Sequence, residues 1–206
     1  MTIDLNEAAR LLSGHDRILI LSHQSPDGDT LGSAGALCLI LTRLGKLARF
    51  ACSDEIPEKY DEMLSSVPAP AFEPEYVVAV DIADRKLLGK KLDSACPHID
   101  LCIDHHGSNT LYADQSVVEP HAAATCELIY ALSGLLGVTP DAAIAGCLFT
   151  GISTDTGCFR NANTTADTMR VAAALIDAGA DAAEINRQMF EIKSRARLEI
   201  ERMALD

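Results

Sequence analysis

Short apolar runs separated by polar segments mark the first half of the chain. Residues 17–22 (RILILS), 46–52 and 76–82 (YVVAVDI) each predict a buried strand, since they are short and bounded by polar or turn residues. A fourth run, IDLCIDHH, predicts a strand over residues 100–104 that ends in polar residues. The strands therefore come at intervals with room for helices between them.

Helical patterns fill those intervals and dominate the second half. A helix is predicted over residues 30–44 with Gly45 as its stop signal, and a second over residues 84–92. Residues 53–75 contain four prolines and predict one short helix in an irregular segment. Further helices are predicted at 123–136, 140–153, 165–178, 181–190 and 193–205. The expected fold is α/β: a doubly wound, mainly parallel sheet flanked by helices, with a helical C-terminal part.

The end of the chain differs in composition from the rest. Residues 1–190 are expected to form one catalytic domain, with 48% hydrophobic residues in the chain to build its core. Residues 191–206 are charged, with few apolar positions, and predict a helical linker. We expect this linker to lead to a second domain.

The amino-acid composition limits where the protein is expected to be located and what it is expected to bind. The longest apolar stretch, near Leu31–Leu41, is too short to span a membrane, and acidic residues near the N-terminus do not resemble an export signal. The seven cysteines are scattered without CxxC pairs, which favours a reducing cytoplasm over disulfides or structural zinc. A net charge of −13 argues against binding to long duplex nucleic acid.

Four clusters of acidic and histidine residues follow strands or occur in helical segments. A single Asp after a strand is usually a turn or cap residue, but ligands of doubly wound sheets bind at the carboxyl ends of the strands. The clusters are His23, Asp27 and Asp29 in HQSPDGD, Asp81 in VVAVDIAD, Asp104, His105 and His106 in DHH, and Asp155 in GISTDTG.

Carboxylates gathered at one edge repel one another unless cations neutralise them. Mixed carboxylate and imidazole ligands suit manganese or a similar first-row divalent ion better than calcium. A pair of such ions sharing a carboxylate is typical of hydrolases that act on phosphate esters. The clusters thus predict a metal-dependent hydrolase with two Mn²⁺ ions, Co²⁺ and Mg²⁺ being alternatives.

The motifs H-x-x-x-D-G-D, V-D, D-H-H and G-I-x-T-D-T-G-x-F, in this order, resemble those of the DHH-family phosphoesterases from residue 17 to about 190. The resemblance implies one metal held by His23, Asp27 and Asp81. It implies a second metal held by Asp29, Asp81, His105 and Asp155, so that Asp81 is the bridging ligand.

Other residues receive roles from the same resemblance. His106 is implied to contact the substrate phosphate or to protonate the leaving group, and Asp104 to orient a histidine. Thr125 and Arg160 are candidates for substrate contact, although a helix N-terminal position and a surface salt bridge explain them equally well. Glu127 lies in the same segment as Thr125, and Gly28 is expected to serve the tight D-G-D turn.

Within the family, the TDTGCFRNANTT stretch most resembles the nanoRNase, oligoribonuclease and pAp-phosphatase branch. The implied substrates are small nucleotides and very short single-stranded RNA, such as pApA and 3′-phosphoadenosine 5′-phosphate. Family members carry a C-terminal substrate-binding domain whose glycine-rich motif does not occur after Asp155. A family II inorganic pyrophosphatase, a noncatalytic nucleotide-binding module and a homodimer all stay open, whereas a RecJ-type exonuclease is disfavoured by the 4% aromatic content.

Overall fold

A five-stranded parallel sheet forms the centre of the protein. The computed structural model describes residues 1–192 and 195–205. The strand order is β2-β1-β3-β4-β5, and every neighbouring pair is parallel. The strands are β1 Ile18–Leu21, β2 Ala48–Ala51, β3 Tyr76–Val80, β4 Leu101–Asp104 and β5 Gln115–Val118. The predicted α/β fold with a parallel sheet is confirmed.

Helices connect the strands and make up the C-terminal part. The α-helices of the described residues are α1 Leu5–Gly14, α2 Gly28–Arg43, α3 Asp61–Leu64, α4 Gly89–Ala95, α5 Thr125–Leu135, α6 Ala142–Asp155, α7 Ala166–Asp177, α8 Ala182–Asn186 and α9 Arg195–Leu205. Short 3₁₀ turns precede α3 (Glu58–Tyr60) and α4 (Arg85–Leu88), and α8 runs on into a π turn, Arg187–Glu191.

Alternate side chains of the strands pack into two different cores. Ile18 and Ile20 of β1 belong to the larger core, built with α1, α2, α5, α6 and α7. Leu19 and Leu21 point the other way and pack with Leu92 of α4 in the smaller core. Because successive side chains of a strand alternate between faces, the two clusters show that both faces of the sheet are covered.

Helix α2 lies at the centre of the larger core and is buried along residues 28–41. A helix that is apolar all round needs neighbours on every side, and α6 is one of them. At Gly32 an added Cβ would lie 2.4 Å from the Cys147 carbonyl oxygen of α6, and at Gly28 it would lie 2.2 Å from Thr154 Oγ1. Gly28 begins the helix, so close packing explains it better than the expected turn geometry does.

Several elements differ from the sequence prediction. Helix α1 was not predicted, although Ala8 and Leu12 bury its apolar side. Strand β5 was not predicted either, because its four residues, QSVV, carry too few apolar positions to stand out. The helix expected over residues 84–92 begins as a 3₁₀ turn and continues to Ala95.

The predicted linker falls partly on residues outside the described part. Lys193, Ser194 and Asp206 are not described, and α9 covers Arg195–Leu205. Its role as a linker, and the domain boundary at residue 190, stay predictions. No helix within the described ranges is both long and apolar enough to cross a membrane.

The close approach of α2 and α6 predicts opposite effects for two glycine substitutions. Gly32→Ala should lower the free energy of unfolding by about 1–3 kcal/mol, because the methyl group would press on backbone of α6. Gly146→Ala should raise it by about 0.5–1 kcal/mol, since Gly146 lies inside α6 with no atom within 4 Å of the added Cβ. Urea unfolding of both variants measures this, and equal effects would contradict the packing described.

Candidate metal centre

The segment after β1 places His23 beside two carboxylates. Asp27 caps α2, and its Oδ1 accepts hydrogen bonds from the amides of Asp29 (3.0 Å) and Thr30 (3.2 Å). His23 Nδ1 donates to the Gln24 carbonyl oxygen at 2.7 Å, which leaves Nε2 facing the carboxylates. His23 Nε2 lies 3.6 Å from Asp27 Oδ1 and 3.7 Å from an oxygen of Asp81.

Asp81 follows β3 and lies between two histidines. Its φ of +59° is in the left-handed region, which is uncommon for a residue other than glycine and often marks a functional position. Asp81 Oδ2 lies 3.7 Å from His23 Nε2, whereas Oδ1 lies 3.7 Å from His105 Nε2. Asp81 has only 3% of its surface exposed. Because its two oxygens face different histidines, the carboxylate can serve both neighbours at once.

His105, after β4, faces three carboxylates. Its Nδ1 is 3.1 Å from the Ala122 carbonyl oxygen, which fixes the proton there and directs the Nε2 lone pair inward. Nε2 is 3.5 Å from Asp155 Oδ2, 3.7 Å from Asp81 Oδ1 and 3.9 Å from Asp29 Oδ2. These separations exceed hydrogen-bond length, and Nε2 is buried without a hydrogen-bond partner among the described residues.

The donor set fits divalent cations. Ligand atoms of one small divalent ion lie about 2.1 Å from it and therefore roughly 3 Å from each other, close to the spacing found here. Three overlapping groups at one edge of the sheet meet this condition: His23, Asp27 and Asp81; Asp29, His105 and Asp155; and Asp81, His105 and His106. Asp81 connects them, with Oδ2 toward His23 and Oδ1 toward His105.

The N-terminus of α5 holds two of the carboxylates in place. Asp29 Oδ2 accepts a hydrogen bond from the Thr125 amide (2.7 Å), and Oδ1 accepts one from the Cys126 amide (2.9 Å). The Thr125 hydroxyl donates to Asp81 Oδ1 at 2.9 Å. Because Thr125 is fully buried, orienting Asp81 and Asp29 suits it better than the expected substrate contact.

Burial and mutual repulsion shape the charges of the cluster. Burial raises the pKa of Asp81 to about 7, with the Asp27 charge acting in the same direction. Burial, followed by the charges of Asp81 and Asp155, raises the pKa of Asp29 well above its usual range. Burial is also the main cause that raises the pKa of Asp155. Asp155 is the last residue of α6, where the helix dipole disfavours a negative charge. Cations bound here would take the place of protons.

His106 is set apart from the other two histidines by its exposure. Its side chain is 45% exposed, against 16% for His23 and 12% for His105. His106 Nδ1 lies 2.8 Å from Oδ1 of the buried Asp104, and this hydrogen bond raises the pKa of His106 to about 9. The imidazole is therefore held through Nδ1 and is the most exposed of the three histidines at this edge.

Asn109, which the sequence analysis did not single out, completes this arrangement. Its Nδ2 donates to Asp104 Oδ2 at 2.6 Å. The one signal in the sequence is its place in DHHGSN, three residues after His106, where a tight turn returns the chain toward Asp104. Hydrogen bonds from His106 and Asn109 hold the pKa of Asp104 below its usual value, although burial opposes them.

Two other candidates lie apart from the ligand groups. Arg160 is exposed, and its Nε donates to the Gly157 carbonyl oxygen at 2.7 Å. Within the described part of the chain, no hydrogen bond or ion pair joins Arg160 to the candidate metal ligands. Glu127 accepts a hydrogen bond from the Ala123 amide at 3.2 Å and so supports the start of α5. Substrate contact by Arg160 stays a prediction.

A further His and Asp group lies at the opposite edge of the sheet. His98 Nε2 is 3.1 Å from Asp100 Oδ1 and 3.3 Å from Asp114 Oδ2, near the starts of β4 and β5. His98 and Asp114 are 61% and 65% exposed, and the contacts are short enough for ordinary hydrogen bonds. This group is therefore separate from the metal centre.

Comparison with known proteins agrees with the fold. Residues 17–152 match the DHH family, N-terminal domain. The fold and the ligand groups are those of a metal-centred α/β domain, and the chain belongs to the DHH family. The expected family membership is confirmed.

Two relatives show how much of a longer protein the chain corresponds to. It is 38% identical over 190 residues to the bifunctional oligoribonuclease and PAP phosphatase NrnA of Thermus thermophilus, covering 88% of this chain and 56% of that protein. It is 32% identical over 185 residues to a probable manganese-dependent inorganic pyrophosphatase of Enterococcus faecalis, covering 84% of this chain and 58% of that protein. The chain thus spans a little over half the length of these relatives.

A solved structure shares the fold. An exopolyphosphatase-related protein from Bacteroides fragilis superposes with a TM-score of 0.87 at 23% identity. The match covers 98% of this chain and 64% of the other. Nearly all of the chain therefore shares the fold of about two thirds of that protein.

The Thr125 hydrogen bond predicts a metal-binding defect. Thr125→Val keeps the shape of the side chain but removes the donor to Asp81, so Mn²⁺ affinity should fall by about 10- to 100-fold. Thr150→Val is the matched control, because Thr150 is equally buried in α6 and its hydroxyl bonds only the Gly146 carbonyl of its own helix. Calorimetric titration with Mn²⁺ measures both, and equal affinities would contradict the orienting role.

Proposed function

We propose that this chain is the catalytic part of a phosphoesterase that binds two divalent cations, manganese in the first place, and hydrolyses short nucleotide substrates. The observation that carries the proposal is the position of Asp81, one oxygen toward His23 and the other toward His105. A shared carboxylate between two ligand groups is how paired-metal hydrolases hold their ions.

The residues of the candidate site have two proposed roles, metal binding and contact with the substrate. His23, Asp27 and Asp81 would hold one cation, and Asp29, Asp81, His105 and Asp155 the other. Bound there, the cations supply Lewis acidity and the positive charge that a phosphate ester requires. His106, the most exposed histidine at this edge, would then face the substrate with Nε2. Water adds its oxygen to phosphorus and releases a proton to solvent, while the bond from phosphorus to the leaving oxygen breaks and a proton on His106 Nε2 passes to that oxygen. Uptake of a proton from solvent then restores His106.

Asp104 keeps His106 ready for this role. Its bond to Nδ1 fixes the ring orientation, and its buried negative charge favours the protonated imidazole. At neutral pH the ring therefore offers a proton and a positive charge to a phosphate. No lysine or arginine is needed for that contact, which matters in a chain with a net charge of −13.

The names of the relatives support the substrate and the metal. The Thermus thermophilus relative is named an oligoribonuclease and PAP phosphatase, and the Enterococcus faecalis relative a manganese-dependent pyrophosphatase. Short nucleotides rank first because the oligoribonuclease is the more similar in sequence. Pyrophosphate hydrolysis is the second candidate, favoured by the second relative.

The chain length bears on substrate binding. Since the relatives are nearly twice as long, we propose that a second domain supplies further substrate contacts and that residues 191–206 lead toward it. Contacts remote from the reacting bond provide orientation and much of the binding energy. The isolated chain is then expected to bind metal well and to turn over slowly.

A substrate panel tests the proposal. The chain, and a form extended by any natural C-terminal continuation, would be incubated with Mn²⁺ and pApA, short RNA, 3′-phosphoadenosine 5′-phosphate or pyrophosphate. Release of nucleotide products is expected, with loss on chelation of the metal and recovery on its return. Turnover of pyrophosphate alone would favour the second candidate. Mn²⁺ binding without turnover of any substrate by the extended form would contradict catalysis.

Replacing the shared ligand should separate function from stability. Asp81→Asn keeps the shape but removes the charge, and turnover should fall by at least about 10³-fold because both ligand groups lose a carboxylate. Without metal, the variant should melt no lower than the wild type, since a carboxylate costly to ionise is gone. Asp114→Asn, an exposed carboxylate at the other edge of the sheet, is the control and should keep full activity.

A further inference from the structure

Asn109 holds Asp104 from the side opposite to His106. Asp104 has no exposed surface, and its two oxygens have different partners. Oδ1 accepts from His106 Nδ1 at 2.8 Å and Oδ2 accepts from Asn109 Nδ2 at 2.6 Å. A buried carboxylate with a donor on each oxygen cannot rotate without losing one of these bonds.

The direction of the Asn109 amide is itself fixed. Its Oδ1 accepts a hydrogen bond from the Leu111 amide at 2.8 Å. The backbone N–H of Asn109 in turn donates to the His106 carbonyl oxygen at 3.0 Å, which closes the turn between the two residues. Because the oxygen is committed to a backbone donor, the nitrogen must face Asp104, and a flipped side chain would lose both contacts.

The consequence reaches the solvent-exposed end of His106. The order of contacts is Leu111 amide, Asn109, Asp104, His106, and each bond sets the orientation of the next group. Without Asn109, Asp104 Oδ2 would lose its 2.6 Å hydrogen bond, and the buried carboxylate would be free to turn. His106 would then lose the fixed direction of Nε2.

We infer that Asn109 is a positioning residue for proton transfer: through Asp104, it directs His106 Nε2 at the leaving oxygen of the substrate. The inference rests on the proposed function, in which His106 gives a proton to that oxygen while the bond from oxygen to phosphorus breaks. Asn109 does not touch the substrate. Its effect should therefore depend on how much help the leaving group needs.

Leaving groups that differ in this need provide the test. Asn109→Leu has nearly the same size but no donor, and its kcat on a dinucleotide should fall by about 10- to 100-fold. A nucleoside p-nitrophenyl phosphate releases a stable phenolate that requires no proton, so its kcat should change little. Rates are expressed per Mn²⁺-loaded site, and KM is measured for both substrates.

Tyr112→Phe is the matched control. The Tyr112 hydroxyl donates to the Ile82 carbonyl oxygen at 3.0 Å, the same oxygen that Asn109 Nδ2 approaches at 3.3 Å. The substitution thus weakens the same loop without removing a partner of Asp104. It should lower stability and leave both rates near those of the wild type. If Asn109→Leu does not fold, Asn109→Ser replaces it, since serine is too short to reach Asp104.

A double-mutant cycle shows whether Asn109 acts through His106. In a His106→Gln background, Asn109→Leu should cause no further loss on the dinucleotide. Equal losses on the two esters, or additive losses in the cycle, would overturn the inference while leaving the proposed function intact.

Nuclear magnetic resonance of the metal-free protein gives a readout that needs no activity. The His106 Nδ1 proton should be protected from solvent exchange in the wild type and in Tyr112→Phe, and exposed in Asn109→Leu. If the Mn²⁺-loaded wild type, in its extended form, turned over neither ester, the proposed function would fail. An unchanged Nδ1 proton in Asn109→Leu would overturn the positioning role on its own.

Discussion

Four carboxylates and two imidazoles meet at one edge of the sheet, and the cost of bringing their charges together governs the rest of the structure. Asp29 and Asp81 are almost completely buried, so each loses water and faces like charges. A protein that placed them together only for stability would gain nothing, because apolar residues of similar size would pack at lower cost. The arrangement makes physical sense when positive charge occupies it.

The fold supplies the rigidity that this concentration of charge requires. Asp29 comes from α2 and Asp155 from α6, two helices that glycines allow to approach until backbone meets backbone. The start of α5 then directs two amides at Asp29 and a hydroxyl at Asp81. Parallel strands bring Asp81 and His105 to the same edge. Asp29 and Asp81 are thus held by donors that are themselves buried, as a preorganised metal site requires.

The sequence points to the clustered acidic and histidine residues more clearly than to the residues that hold them in place. Strand ends and the DHH-family motifs identify His23, Asp81 and His105, because strand-end placement is visible along the chain. The partners of those ligands are not visible there, since they depend on which elements approach in space. Thr125, a candidate for substrate contact, donates a hydrogen bond to Asp81, and Asn109, which the sequence analysis did not single out, donates one to Asp104. Strand β5 was not predicted because its pairing with β4, rather than its own composition, makes it a strand.

The central claim is that Asp81 joins two cations at this edge. Anomalous diffraction at the manganese absorption edge, from crystals grown with Mn²⁺, tests it directly. The account predicts two peaks about 3.5–4 Å apart, with the Asp81 carboxylate between them, His23 on one ion and His105 on the other. A single peak, or two peaks that do not share Asp81, would contradict it.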